Sequence, residues 1–365
     1  MGLDLSSPAG PAEAVPAPEA AQPRPARRRL DPGAVLAWAS VGPALVVAGW
    51  LLAAYPLALA GRATPGVAVP VAALVVALLL AAARRLPPVA HTPWWSALAT
   101  LGVAAGFAAF TAVHASGHVV LRRDSAVYAL LARWIAHSGT LTVPAHLDAI
   151  GGAHPSIAVA APGLYPVGDT LATQFMSGTA LTLAPGGWGG GWGAILIAPA
   201  VLGALALLAV AGLAARLIGP RWAPAAALAV GLTQPVLLIA RSTYSEPLAQ
   251  LLLLAAMCLL VDVVTSRGRP LAALAGLLVG LGLLVRIDAV RDIAMLVPVV
   301  AWLAFRRHPT WLPLTGGLAV GGAYGAVDAL GPTRPYVSDL WPSVRPVLLG
   351  IAWLTALAVL AVPPA

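Results

Sequence analysis

Ten runs of predominantly apolar residues, at 35–57, 66–84, 95–113, 192–216, 221–240, 247–264, 270–285, 289–305, 311–330 and 344–362, recur nearly to the C-terminus. Crossing the hydrocarbon core of a bilayer takes about 20 such residues in a helix, because a helix satisfies its own backbone hydrogen bonds where no water is present. The runs therefore predict an all-α, polytopic integral membrane bundle of about ten transmembrane helices. Composition agrees, since 60% of the 365 residues are hydrophobic and only 9% are charged, too few polar side chains to cover a soluble globule. Polar sequence is confined to the first thirty-odd residues and one central stretch, which excludes a soluble enzyme carrying a single anchor.

The net charge of +8 contains no Lys, every basic residue being Arg, and most of these sit in short connections between apolar runs. With a cytoplasmic N-terminus, Arg84 and Arg85, Arg216 and Arg221, Arg267 and Arg269, and Arg306 and Arg307 all fall inside. That distribution is an orientation signal rather than a nucleic-acid patch. The expected location is the plasma membrane, multi-pass, with no nucleic-acid partner. Four parts follow: a disordered cytoplasmic Pro/Ala-rich tail at 1–33, three N-terminal transmembrane helices at 34–113, an extracytoplasmic loop at 114–191, and a C-terminal bundle of about seven helices at 192–365. The loop is expected to carry amphipathic juxtamembrane helices, with 169–184 as a juxtamembrane or re-entrant helix and the Gly-rich run at 186–193 as a flexible connection. The one cysteine, Cys258, lies in an apolar run, so no intramolecular disulfide or CxxC site exists.

With this orientation the remaining polar chemistry gathers on the outer face, in three clusters. In RRDSAVYALLARWIAHSGTL, Asp124, Val127, Tyr128, Leu131 and Ile135 share one face of an amphipathic helix. Asp124 is either its N-cap or a general base at the bilayer surface. Arg122 and Arg123 either bind lipid head groups or neutralise a donor phosphate, for which forked guanidinium donors are suited. The second cluster, ARSTYSEPLAQ, contains Arg241, Tyr244 and Glu246 at the junction of two spans. Glu246 and Pro247 fit the first turn of the next helix, yet an Arg and a Glu at membrane depth are costly unless paired or used. The third, VRIDAVRDIAM, places Arg286, Asp288, Arg291 and Asp292 in a turn, where mutual ion pairing and phosphate or sugar contact are the two readings. Five of the seven His (His114, His118, His137, His146, His154) lie in the same outer loop, without the HExxH or Cys pattern of a zinc site.

Taken together these residues resemble the GT-C type membrane glycosyltransferases, which use polyprenyl-phosphate sugars and include the protein mannosyltransferases and the aminoarabinose transferase of lipid A. The resemblance rests on Asp124, Tyr128, Ala132 and Gly139 in the first outer loop, on the Pro-containing PGLYPVGDTLATQF at 162–175, on Arg241 followed by Glu246, and on a Gly-rich helix ending in Arg286. It covers roughly residues 95–305. It implies transfer of a sugar from a polyprenyl-phosphate donor to a cell-envelope glycan, lipid or protein acceptor, with Asp124 as base. Arg122, Arg123, Tyr128, Arg241, Tyr244, Glu246, Arg286 and Asp288 would be substrate contacts, and Asp124 and Glu246 candidate ligands of a divalent metal. The chain departs from the family pattern in having Ser125 directly after Asp124, in separating Pro162 from Pro166, and in stopping at AVPPA. The rival readings are a polytopic transporter or flippase for lipid-linked sugar, and a truncated non-catalytic relative.

Overall fold

The computed structural model describes residues 31–117, 119, 124–152 and 162–361. The tail at 1–30 therefore lies outside the described residues, as do Arg122, Arg123, His118 and His154. In chain order the helices are α1 (Pro32–Leu59), α2 (Pro65–Ala82), α3 (Trp94–Val113) and α4 (Asp124–Ser138). Three short strands follow, β1 (Val143–Pro144), β2 (Leu164–Val167) and β3 (Thr170–Thr173). Then come α5 (Gly178–Gly189), α6 (Gly191–Leu217), α7 (Ala223–Gly231), α8 (Gln234–Ala240) and α9 (Glu246–Ser266). The chain closes with α10 (Arg269–Val285), α11 (Val290–Phe305), α12 (Trp311–Leu330) and α13 (Arg334–Ala361).

Six of these, α1, α2, α3, α6, α9 and α13, are long and apolar enough to cross a membrane. A seventh crossing arises if the bent pair Pro220–Gly231 and Gln234–Ala240 is one span. The chain is thus a helical, multi-pass membrane protein. The expected figure of about ten counted α10, α11 and α12 as well. α10 and α11 have 17 and 16 residues, about 24–26 Å at 1.5 Å per residue, and α12 is diluted by Gly and carries Asp328.

α1 begins earlier than the expected tail boundary because Pro32 fits the first helical position and Asp31 caps it, its Oδ1 accepting the Gly33 N–H at 3.0 Å. α1 and α6 lie inside the bundle while α2 and α13 stay at its margin. The closest approach is between α10 and α12. Gly276 and Gly280 face the backbone of Leu314 and Leu318, while Gly317 and Gly321 face that of Ala273 and Leu277. Interlocked small residues of this kind let two membrane helices touch along their backbones.

Four expectations are corrected. The run at 221–240 is not one straight span but bends by 77°, because Pro235 has no N–H to continue the ladder and Thr233 is extended. The segment expected as a helix at 169–184 is helical only from Gly178, in α5, because 164–173 is a β2–β3 hairpin within the sheet β1-β3-β2. Its two-residue turn places Gly168 at φ 62, a conformation glycine adopts at no steric cost. Residues 186–193 are no loose connection: α5 runs to Gly189, and Gly186 lies against the Ala194–Ile195 backbone of α6. Finally, α13 begins at Arg334, ten residues before the expected run at 344–362, so the connection ahead of that run is helical.

Two buried polar ties hold the bundle. Arg216 on α6 donates from Nε and Nη2 to both oxygens of Asp262 on α9, at 3.0 and 2.9 Å, and from Nη1 to Ser40 Oγ on α1 at 3.1 Å. At the other end Asp328 on α12, fully buried, accepts the Ser177 N–H at 2.9 Å and its hydroxyl at 2.7 Å. That second tie fixes the start of α5 against α12.

Candidate functional site

The site forms where α4 and α9 begin and α10 ends. Arg286 leaves the α10 ladder in an extended conformation, and the 3-10 turn Ile287–Ala289 swings the chain into α11. Ser245 and Glu246 start α9, with Pro247 in its first turn. The strap before α9 is pinned to α4 by Thr243, whose hydroxyl donates to the Ser125 carbonyl at 2.5 Å. These local breaks in helical structure bring three separate stretches of sequence to one cavity.

That cavity measures about 280 Å³ and is lined by Asp124, Tyr128, Ser245, Arg286, Asp288 and Arg291, among others. Arg286 is its organiser. Its Nε and Nη2 donate to the two oxygens of Asp288 at 2.9 and 3.0 Å, and Nη1 donates to Ser245 Oγ at 2.9 Å and reaches Glu246 Oε1 at 2.5 Å. Burial works against the guanidinium's charge, but the hydrogen bond to Asp288 and the charge of Glu246 outweigh it and move its pKa up. The hydrogen bond from Arg286 holds the Asp288 carboxyl below the ordinary carboxylate range. The other oxygen of Glu246, Oε2, is buried with no hydrogen-bond partner among the described residues.

An aromatic wall closes the cavity. Phe175 stacks on Tyr128 with ring centroids 5.1 Å apart and meets Tyr336 edge-on at 5.4 Å. Phe175 has φ 77, a conformation that costs a non-glycine residue about 1–3 kcal/mol and concentrates at functional sites. Burial pushes the Tyr128 phenol up, so it stays a protonated hydrogen-bond donor. A second cavity of about 370 Å³, lined by Leu131, Thr142, Thr173, Ser177 and Arg334, adjoins the first. Leu131 is one helical turn from Tyr128, and Ser177 follows Met176, which lines the first cavity.

The structure brings Asp124, Tyr128, Arg286 and Asp288 together, with Glu246 attached through Arg286. Arg241 and Tyr244 do not line the cavity. The Arg241 Nε donates instead to the His114 carbonyl at 2.7 Å, at the end of α3, where the last carbonyls of a helix lack partners. Arg291, which the sequence offered for either ion pairing or phosphate contact, lines the cavity, and Phe175, Ser245 and Tyr336 line it without having been among the expected contacts. Ser245 sits directly before Glu246, which was a signal available in the sequence. Phe175 and Tyr336 stood in segments expected to have other secondary structure.

A divalent metal does not fit these residues. Both Asp288 oxygens and one Glu246 oxygen are already engaged by Arg286, and among the described residues no group of three or more His, Cys, Asp or Glu is arranged to hold an ion. Comparison with family models, curated proteins and solved structures finds no match for the chain.

Proposed function

We propose that the chain is a membrane glycosyltransferase that moves a sugar from a polyprenyl-phosphate donor to a hydroxyl of a cell-envelope glycan, lipid or protein. The cavity faces the outside of the plasma membrane, and the short α10 and α11 together with the Gly-rich α12 complete about ten crossings above a cytoplasmic N-terminus. The observation that carries this reading is the meeting of Asp124 and Tyr128, Ser245, and Arg286 and Asp288, from three distant stretches of sequence, in one cavity at the ends of apolar helices. A hydroxylated sugar is met by carboxylates and phenols, and the adjoining cavity leaves room for a second substrate.

In the proposed step the Asp124 carboxylate takes the proton of the acceptor hydroxyl. The acceptor oxygen bonds to the anomeric carbon while the bond from that carbon to the carrier's phosphate oxygen breaks, its electron pair leaving with the phosphate. A carboxylate held within hydrogen-bond reach contributes about 10²–10⁴-fold in such a transfer. Arg286 fixes Glu246 and Asp288 as acceptors for sugar hydroxyls, and the Glu246 oxygen without a partner is ready for one more donor. Arg291 is exposed and forms no ion pair among the described residues, so it is the cation open to the leaving phosphate.

A transporter would need ionisable residues deep within several spans, and Asp262 and Asp328, both near span ends, are the candidates in the sequence. Asp262 is satisfied by Arg216 and Asp328 by Ser177, so both have structural work that needs no cargo. Membranes containing the intact chain or Asp124→Asn are to be given a panel of radiolabelled polyprenyl-phosphate sugars. Transfer by the intact chain that falls about 10²–10⁴-fold in the variant, at equal expression, is expected. If no carrier is consumed, or the variant transfers at the intact rate, the reading fails.

A further inference from the structure

At the opposite end of the bundle, two short connections far apart in sequence meet. α9 runs from Glu246 beside the candidate site to Ser266, so this end lies about 30 Å away at 1.5 Å per residue. Arg84 and Arg85 follow α2, and Arg267 and Arg269 flank Gly268 between α9 and α10. All four line one cavity of about 480 Å³, whose remaining wall includes Ala81, Ala82, Pro270 and Leu271.

No carboxylate lines this cavity, and none of the four guanidinium groups forms an ion pair among the described residues. The nearest acid along the chain, Asp262, is taken by Arg216. Four like charges around one hollow repel one another, and the repulsion is relieved when an anion sits among them. The N-terminus of α10 adds to the same potential, because its cap is Gly268 and no side chain caps its first N–H groups. Charged donors set above an apolar wall match a phosphate joined to a hydrocarbon chain.

We propose that this cavity is a binding site for a phosphate or diphosphate group, recognised by Arg84, Arg85, Arg267 and Arg269 together. The group is either the headgroup of an anionic lipid at that membrane surface or a free phosphate compound. The site is independent of the proposed transfer chemistry, which uses the other end of the bundle.

Native mass spectrometry of the full chain in detergent tests it, with dioleoyl phosphatidic acid, dioleoyl phosphatidylcholine and inorganic pyrophosphate as probes. Phosphatidic acid retained over phosphatidylcholine identifies a lipid headgroup as the source, and pyrophosphate retained alone identifies a free phosphate. In either case Arg84→Gln/Arg269→Gln, one change from each connection, is expected to weaken binding at least about tenfold, equivalent to about 1.4 kcal/mol. Arg306→Gln/Arg307→Gln, which removes equal charge from another connection, leaves binding unchanged. Equal loss in the two double variants, or retention of neither anionic probe by the intact chain, overturns the proposal. Should Arg84→Gln/Arg269→Gln lose its helical circular dichroism, the single variants at the four positions decide, each expected to weaken binding while the chain stays folded.

Discussion

Replacing Gly280 by Ala puts one methyl group into the tightest helix contact of the bundle. That carbon would stand 2.5 Å from the Leu318 carbonyl oxygen and 2.6 Å from the Gly322 nitrogen. Both are backbone atoms of α12, so no side-chain rotation clears them. Ordinary contact begins near 3.4 Å, so α10 and α12 must part locally by about 0.9 Å, the difference between 3.4 and 2.5. Overpacking of this kind costs about 1–3 kcal/mol, and the loss spreads because Gly276, Gly317 and Gly321 depend on the same approach. Gly322→Ala is the matched control, since a methyl there meets nothing within 4 Å. The gain in helix propensity from Gly to Ala, about 1 kcal/mol, is common to both variants and cancels in their difference. Unfolding of the purified chain by SDS titration in mixed micelles should therefore place Gly280→Ala about 1–3 kcal/mol below Gly322→Ala. Because α10 runs directly into Arg286, a displacement near 1 Å would also reach the candidate site, and for the proposed transfer a misplacement on that scale is expected to cost about 10²-fold in rate. Equal stability of the two variants would refute the close packing of α10 on α12.

Two further outcomes follow from the ion pairs. Arg216→Met leaves Asp262 buried and unpaired and should cost about 3–5 kcal/mol, whereas Arg216→Met/Asp262→Leu should recover much of that loss in the same SDS titration. A double variant no better than the single one would mean that the pair is not what holds α6 on α9. The depressed Asp288 carboxyl adds stability that is present above the ordinary carboxylate pKa of about 3.9 and is lost as pH falls below it. The stability gap between the intact chain and Asp288→Asn should thus stay level from pH 8 to pH 5 and close as the pH is lowered past about 4. A gap that closes already between pH 7 and 5 contradicts the Arg286–Asp288 pairing.

Apolar run length made the helices legible, since every expected run from 35–57 to 344–362 coincides with a helix or a bent helix pair. It could not separate a full crossing from a short one, because α10 is as apolar as its neighbours but has only 17 residues. The hairpin at 164–173 was hidden by its small apolar and Thr residues, which suit a half-buried strand as well as a helix, and only the Gly168–Asp169 turn distinguishes them. Four of the expected site residues share one cavity: Tyr128 stood out because it lies on the same helix face as Asp124, and Asp124, Arg286 and Asp288 because charged residues at span ends are costly unless paired or used. Arg241 misled for the same reason, its cost being met by a backbone carbonyl at the end of α3. Tyr336 and Phe175 gave no signal, as an aromatic ring in an apolar chain looks the same whether it packs or lines a cavity.

The pairing around Arg286 changes what the cluster VRIDAVRDIAM can do. Read as sequence, its two arginines and two aspartates offered mutual ion pairing and phosphate contact as alternatives. The geometry divides them between the two arginines. Arg286 is held by Asp288, Glu246 and Ser245, so a phosphate would have to displace short, partly buried, charge-assisted hydrogen bonds to reach it. Arg291, five residues later and on the rim of the same cavity, has no such competitor among the described residues. One guanidinium is thereby committed to fixing the positions of two carboxylates, one at the start of α9 and one just after the end of α10. The other forms no ion pair among the described residues and remains open to an incoming anion.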